Sequence, residues 1–130
     1  MSEDDLRTDR NVCITLPDPA VTMEVRPEAV AEWVKLPADQ RPRLIDCREE
    51  DELGICQIAG NEWFPLGLFP GVREKLKARN ERGVVVYCHH GVRSLRATHF
   101  LRSIGVENAF SMSGGIEEWA ARIDPEMARY

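Results

Sequence analysis

Apolar residues in this chain come in short runs, and between the runs lie stretches where apolar positions recur at helical spacing. Val21 to Val25 reads as a first strand. Pro27 suits the opening position of a helix, where its missing N–H would have no partner anyway, and Ala29, Val30, Trp33 and Val34 then share one face. Leu44-Ile45 begins a second buried strand that ends at Asp46, and Trp63-Phe64 makes a third, closed by Pro65. Gly71 to Arg79 predicts a helix, with Val72, Leu76 and Lys77 at helical spacing. Gly83 to Tyr87 is the clearest strand. Its apolar, β-branched run shows no polar alternation, which suits a strand covered on both faces of a parallel sheet. Leu95 to Ile104 predicts a helix capped by Gly105. Ala109-Phe110 gives a fifth strand, and Ile116 to Ile123 a last helix after Gly114-Gly115. Strict alternation of strand and helix implies an α/β domain, with a mostly parallel sheet and helices on both faces.

Composition narrows the function classes. The 130 residues fit one domain, with 43% hydrophobic and 30% charged positions, as in ordinary globular proteins. A net charge of −5 argues against general nucleic-acid binding, which needs a basic footprint. Met1 to Arg10 is polar and acid-rich, unlike a secretory signal, and no apolar run approaches the roughly 20 residues of a membrane helix. The expectation is a cytoplasmic protein with no membrane partner. Residues 1–20, with Pro17 and Pro19, read as a loosely ordered lead-in to a domain over 21–130. Cys13, Cys47, Cys56 and Cys88 form no CxxC pair and no zinc pattern, so free thiols are expected in a reducing compartment.

The chemistry concentrates between Val84 and Ile104, read as strand, loop and helix. Cys88 stands at the carboxyl end of the strand, where ligands bind in open α/β sheets. The loop Cys88-His89-His90-Gly91-Val92-Arg93-Ser94 runs into a helix start, where unpaired N–H groups collect. A thiol acts as a nucleophile only as thiolate. A helix dipole contributes about 0.3–1 kcal/mol to a nearby anion, less than one pKa unit. Further lowering must come from loop amides curled toward the sulfur. Gly91 permits the backbone angles of such a curl, Arg93 offers a fixed charge, and His89 and His90 a titrating one.

Arg93 stands five positions after Cys88. Cysteine phosphatases use one residue more, so their phosphate-wrapping loop does not fit, whereas a smaller ring of amides suits a single terminal sulfur. The loop resembles the active-site loop of bacterial single-domain rhodaneses. Leu44-Ile45-Asp46-Cys47-Arg48-Glu49 is similar to that family's Leu-Ile-Asp-x-Arg-Glu signature. Ile58, Gly60 and Pro65-Leu66 follow at its spacing, and Gly114-Gly115-Ile116-Glu117-Glu118-Trp119 resembles its closing motif. The chain departs from the family at Cys56, Gln57, Ala59, Glu62 and Trp63, all near the third strand.

The resemblance implies a single rhodanese-like domain with a five-stranded, mostly parallel sheet flanked by helices. It implies a sulfurtransferase in which a donor, thiosulfate or a protein persulfide, charges Cys88 with sulfane sulfur. An acceptor such as cyanide, a thiol or a sulfur-relay protein then discharges it. By position Cys88 is the nucleophile, His89, His90, Gly91, Val92, Arg93 and Ser94 cradle the persulfide, and Asp46 and Arg48 brace the loop. No cofactor is implied, and His89 and His90 read as loop walls rather than metal ligands. With no second half to cover it, the site is expected to be open. The rival readings are a phosphatase or arsenate reductase on the related fold, and a non-catalytic protein-binding module. Among the other residues, Cys47 reads as core packing and Cys56 as a thiol that could resolve Cys88. Trp33, Trp63 and Trp119 read as core anchors, His99 as a surface residue, and Arg96 and Arg102 as a solvated helix face.

Overall fold

The run Val84–Tyr87 forms the central strand of a sheet in which every neighbouring pair is parallel. In the computed structural model residues 16–130 are described; Cys13 and the rest of the lead-in before Leu16 lie outside them. The strands are β1 (Glu24–Val25), β2 (Arg43–Asp46), β3 (Glu62–Trp63), β4 (Val84–Tyr87) and β5 (Ala109–Met112), in spatial order β1-β5-β4-β2-β3. The helices are α1 (Pro27–Trp33), α2 (Glu50–Leu53), α3 (Arg73–Lys77), α4 (Val92–Ser103) and α5 (Gly115–Arg122), with 3-10 turns at Ala38–Gln40 and Leu66–Val72.

Successive side chains on a strand point to opposite faces, and the two cores follow that alternation. Leu44, Val85, Tyr87, Phe110 and Met112 pack with Val30 and Trp33 of α1 and Ile116 and Trp119 of α5. Ile45, Val84, Val86 and Ala109 pack with Leu76 of α3 and Ala97 and Leu101 of α4. Cys47 and Cys88 belong to this second core, whereas Cys56 packs against the first. The sheet thus separates Cys56 from Cys88.

Several expectations change. Val21 is 80% exposed, and β1 begins only at Glu24. Asp18 is the cause: its carboxylate accepts from Ala20 N–H and its carbonyl from Val21 and Thr22 N–H, turning the chain before the strand. The helix expected over Gly71–Arg79 is a 3-10 turn followed by α3, which stops short of Arg79 and its left-handed φ of 53°. Trp63 is not a core anchor. It lies on an edge strand, 41% exposed, and its indole N–H donates to Arg48 O at 2.8 Å. Arg102 is no idle surface cation: it donates to the carbonyls of Ala109, Pro19 and Thr22, tying the approach to β1 onto α4 and β5.

Candidate active site

The sheet delivers Cys88 directly after β4, and α4 starts four residues later. The N-cap of α4 is Gly91, at φ 105°, which has no side chain of its own to cap the helix. The sulfur of Cys88 takes the capping place, accepting from Gly91 N–H at 3.1 Å and Ser94 N–H at 3.3 Å. An L side chain at Gly91 would be strained at that φ and would press on the Gly114 backbone. Ser94 Oγ lies 3.5 Å from the sulfur and 2.7 Å from Ser111 Oγ. Ser94 Oγ also donates to Gly91 O at 3.2 Å, so when Ser111 donates to Ser94 the Gly91 carbonyl and the sulfur compete for the Ser94 proton.

The Gly114-Gly115 pair closes the loop from outside. A Cβ on Gly115 would stand 2.3 Å from His89 O and 2.6 Å from Cys88 O. Its absence lets the start of α5 approach, so that Ile116 N–H donates to Cys88 O at 2.8 Å and Glu117 N–H to His89 O at 3.0 Å. Two helix starts therefore hold one loop. The amides of α4 grip the sulfur, and those of α5 grip the backbone carrying it.

The Cys88 thiol is held down at about 4. The largest cause is the thiol of Cys47 donating to it. Burial opposes ionisation, and Ser94 and the Gly91 amide add to the lowering. Cys47 is raised in turn, first by that same hydrogen bond and then by burial. The two shifts are opposite, favouring thiolate at Cys88 and thiol at Cys47. Cys88 is only 1% exposed, so the sulfur lies beneath its own loop rather than on the open face expected.

Asp46 and Arg48 are both fully buried and form a bidentate pair, Nε to Oδ1 at 2.9 Å and Nη2 to Oδ2 at 2.7 Å. Burial alone would lower the Arg48 pKa, but the Asp46 carboxylate more than offsets it and the guanidinium stays charged. Arg48 makes no hydrogen bond to the Cys88 loop. It donates to Cys56 O at 2.7 Å and to the Tyr130 hydroxyl at 2.9 Å. The Tyr130 hydroxyl donates to Glu52 at 2.7 Å. Glu52 in turn receives both Nη groups of Arg93, at 2.7 and 2.9 Å, and its carboxyl is held at about 2, chiefly by that contact. The Arg93 guanidinium is thus directed at Glu52, away from a role as a free cation over the sulfur. This chain of contacts joins Asp46 and Arg48 to Arg93 of the Cys88 loop.

His89 and His90 stack at 3.9 Å, and Tyr130 stacks on the other side of His89 at 3.8 Å. His89 Nε2 is buried without a hydrogen-bond partner, 3.7 Å from Glu117. The two imidazoles and Glu117 could offer ligand atoms within 4.8 Å of one another. Near-parallel rings, however, aim their in-plane lone pairs side by side instead of at one ion. Val92 is 67% exposed at the start of α4.

The sequence profile of the Rhodanese-like domain family matches residues 30–122, which include every group in this site except Tyr130. The chain belongs to the rhodanese-like domain family. It is 31% identical over 106 residues to the probable adenylyltransferase/sulfurtransferase MoeZ of Mycobacterium tuberculosis, covering 82% of this chain and 26% of MoeZ. The chain thus spans about a quarter of the length of that relative. The human single-domain sulfurtransferase TSTD1 superposes with a TM-score of 0.65 at 26% identity, over 78% of this chain and 97% of the human one. An As-Sb reductase from Leishmania major shares the fold at a TM-score of 0.65, with 18% identity over 81% of each chain. At that identity the likeness shows the fold alone.

Within this rhodanese-like domain the structure brings Cys88, Gly91 and Ser94 together around one sulfur. It keeps Asp46 and Arg48 one contact further out, and it turns Arg93 aside. Sequence reasoning missed Cys47 as a partner of Cys88, and missed Glu52 and Tyr130 altogether. A local signal existed for Glu52. The spacing Glu49-x-x-Glu52 is a capping box, with the Glu49 side chain accepting from the Glu52 backbone and Glu52 from Glu49 N–H at 2.9 Å. Among the described residues no helix is long and apolar enough to cross a membrane.

Proposed function

We propose that this domain is a sulfurtransferase that carries sulfane sulfur as a persulfide on Cys88. The observation that carries the reading is a Cys88 sulfur at a helix start that accepts from the Gly91 and Ser94 backbone amides at 3.1 and 3.3 Å, with no cation bonded to it among the described residues; this cradle lowers the thiol pKa. Such a sulfur is available as a nucleophile. It attacks the outer sulfur of thiosulfate; the sulfur–sulfur bond of the donor breaks and sulfite leaves with the electron pair. The outer sulfur of the resulting Cys88 persulfide then goes to cyanide or another thiophilic acceptor, and the thiolate returns to its amide cradle.

His89, His90, Val92 and Arg93 wall the approach, and Gly91 and Ser94 hold the sulfur. Exposed Val92 offers an apolar contact to a protein donor or acceptor in a sulfur relay. The domain takes residues 21–130. The free Cys47, Cys56 and Cys88 suit a reducing, cytoplasmic setting. The short step from Cys88 to Arg93, and the engagement of Arg93 by Glu52, count against phosphoryl or arsenate chemistry.

The test is thiocyanate formation from thiosulfate and cyanide by wild type and Cys88→Ser. The variant is expected to lose at least about a thousandfold in rate while staying folded, and the wild-type intact mass to gain one sulfur in thiosulfate. A folded, reduced wild type that neither turns over nor gains sulfur from thiosulfate or a protein persulfide would overturn the reading.

A further inference from the structure

Cys47 and Cys88 each follow directly on one of two neighbouring parallel strands. The β2–β4 register pairs Asp46 with Tyr87, and Cys47 N–H donates to Tyr87 O at 3.1 Å, which continues the ladder one residue further. The next pair in that register is Cys47 with Cys88. Neighbouring strands lie about 4.8 Å apart, inside the roughly 4.4–6.8 Å between Cα atoms that a disulfide spans. Both side chains enter the same core, exposed by 0% and 1%. Cys56 packs against the opposite face of the sheet, and its carbonyl is taken by Arg48. The cluster it packs against lies across the sheet from that of Cys88.

We propose that Cys47 is the resolving thiol of Cys88, converting a peroxide-oxidised Cys88 into a reversible Cys47–Cys88 disulfide before further oxidation destroys it. The proposal rests on the reading of Cys88 as the reactive thiolate. The Cys88 thiolate attacks a peroxide oxygen; the O–O bond breaks, hydroxide leaves, and Cys88 becomes a sulfenic acid, oxidised by two electrons. The Cys47 sulfur then displaces the hydroxyl. The S–S bond forms, the S–O bond breaks, and the Cys47 proton leaves with the hydroxyl as water. A dithiol reductant returns both thiols.

The state of Cys88 gates the second step. While Cys88 is a thiolate, its charge keeps the proton on Cys47, which is a poor nucleophile. Oxidation removes that charge and with it the main reason for Cys47 to stay protonated.

The experiment treats the reduced full chain with hydrogen peroxide, alkylates the free thiols, and reads intact mass and a peptide map. The expected result is loss of two hydrogens with a Cys47–Cys88 cross-link, complete reversal by dithiothreitol, and the same cross-link in Cys56→Ser. In Cys47→Ser and Cys47→Ala the expected product is Cys88 sulfinic or sulfonic acid, not reversed by dithiothreitol. A wild-type map showing Cys88 joined to Cys13 or Cys56, or overoxidised with Cys47 still alkylated, would overturn the proposal and needs no folded variant. Thiocyanate formation by the untreated protein is measured alongside. Its absence together with a Cys47–Cys88 cross-link would count against sulfur transfer and leave the resolving role standing. Turnover without the cross-link would do the reverse.

Discussion

Two segments leave the sheet side by side, one after β2 and one after β4, and they handle charge in opposite ways. The segment from Asp46 to Glu52 is built from full charges that neutralise each other: Asp46 with Arg48, and Glu52 with Arg93 reaching over from the neighbouring loop. The segment from Cys88 to Ser94 is built around one sulfur held by neutral donors, the amides of Gly91 and Ser94 and the thiol of Cys47. The first arrangement suits a brace, because paired charges hold geometry and have nothing left to give a substrate. The second suits a reacting atom, because neutral donors stabilise the thiolate and leave its electron pair available.

The comparison breaks most easily at Asp46. Asp46→Asn leaves the Arg48 guanidinium buried without its carboxylate and should cost about 3–5 kcal/mol of stability by urea unfolding, with a change of less than about tenfold in kcat per folded molecule. Lost activity at full stability would show that the brace reaches the chemistry more directly than its contacts indicate.

Gly115→Ala tests the junction between α5 and the sulfur loop. The new methyl meets Cys88 O and His89 O at a positive φ, so a loss of about 2–4 kcal/mol is expected. Turnover should fall as well, because the Cys88 backbone must move. Stability lost with kcat intact would mean that the loop holds its shape without α5.

The neutral cradle makes a prediction about pH. With Cys88 held at about 4, kcat/KM should be level through neutral pH and fall only as acid drives the pH down through that value and protonates the sulfur. Cys47→Ala removes the largest cause of the lowering and should move the acid limb up by about one pH unit. An unmoved limb would assign the lowering to the amides alone.

The smallest effect is expected at Glu52. Glu52→Gln frees Arg93 at a cost of about 1 kcal/mol in stability. The released cation should lower KM for thiosulfate by roughly two- to fivefold. A higher KM would mean that Arg93 already serves the donor while bonded to Glu52.

What was legible in the sequence was what neighbours in the chain decide. The unbroken apolar run Val84–Val86 announced a strand covered on both faces, and the step from Cys88 to Ser94 announced a loop entering a helix. Gly91 marked a loop free to take the backbone angles of a curl, and the Gly114-Gly115 pair marked the start of the last helix. The Glu49-x-x-Glu52 capping box was equally local and went unread, so α2 and the partner of Arg93 were missed together. Val21 misled because strand propensity is weak against an Asp18 turn, and Trp63 because an apolar ring on an edge strand has only one covered side.

The sequence by itself determined the order of strands and helices, the parallel sheet, and the place of Cys88 at a strand end before a helix start, since each depends on periodicity and on groups a few residues apart. Only the tertiary structure decided which thiol faces Cys88. Cys47 and Cys56 are equally cysteine, but strand register brings the first beside the sulfur and the sheet itself screens the second. It also turned Arg93 toward Glu52 and brought Tyr130 between Arg48 and Glu52. Those contacts join residues far apart in the chain, and their energies exist only once the sheet has set the distances.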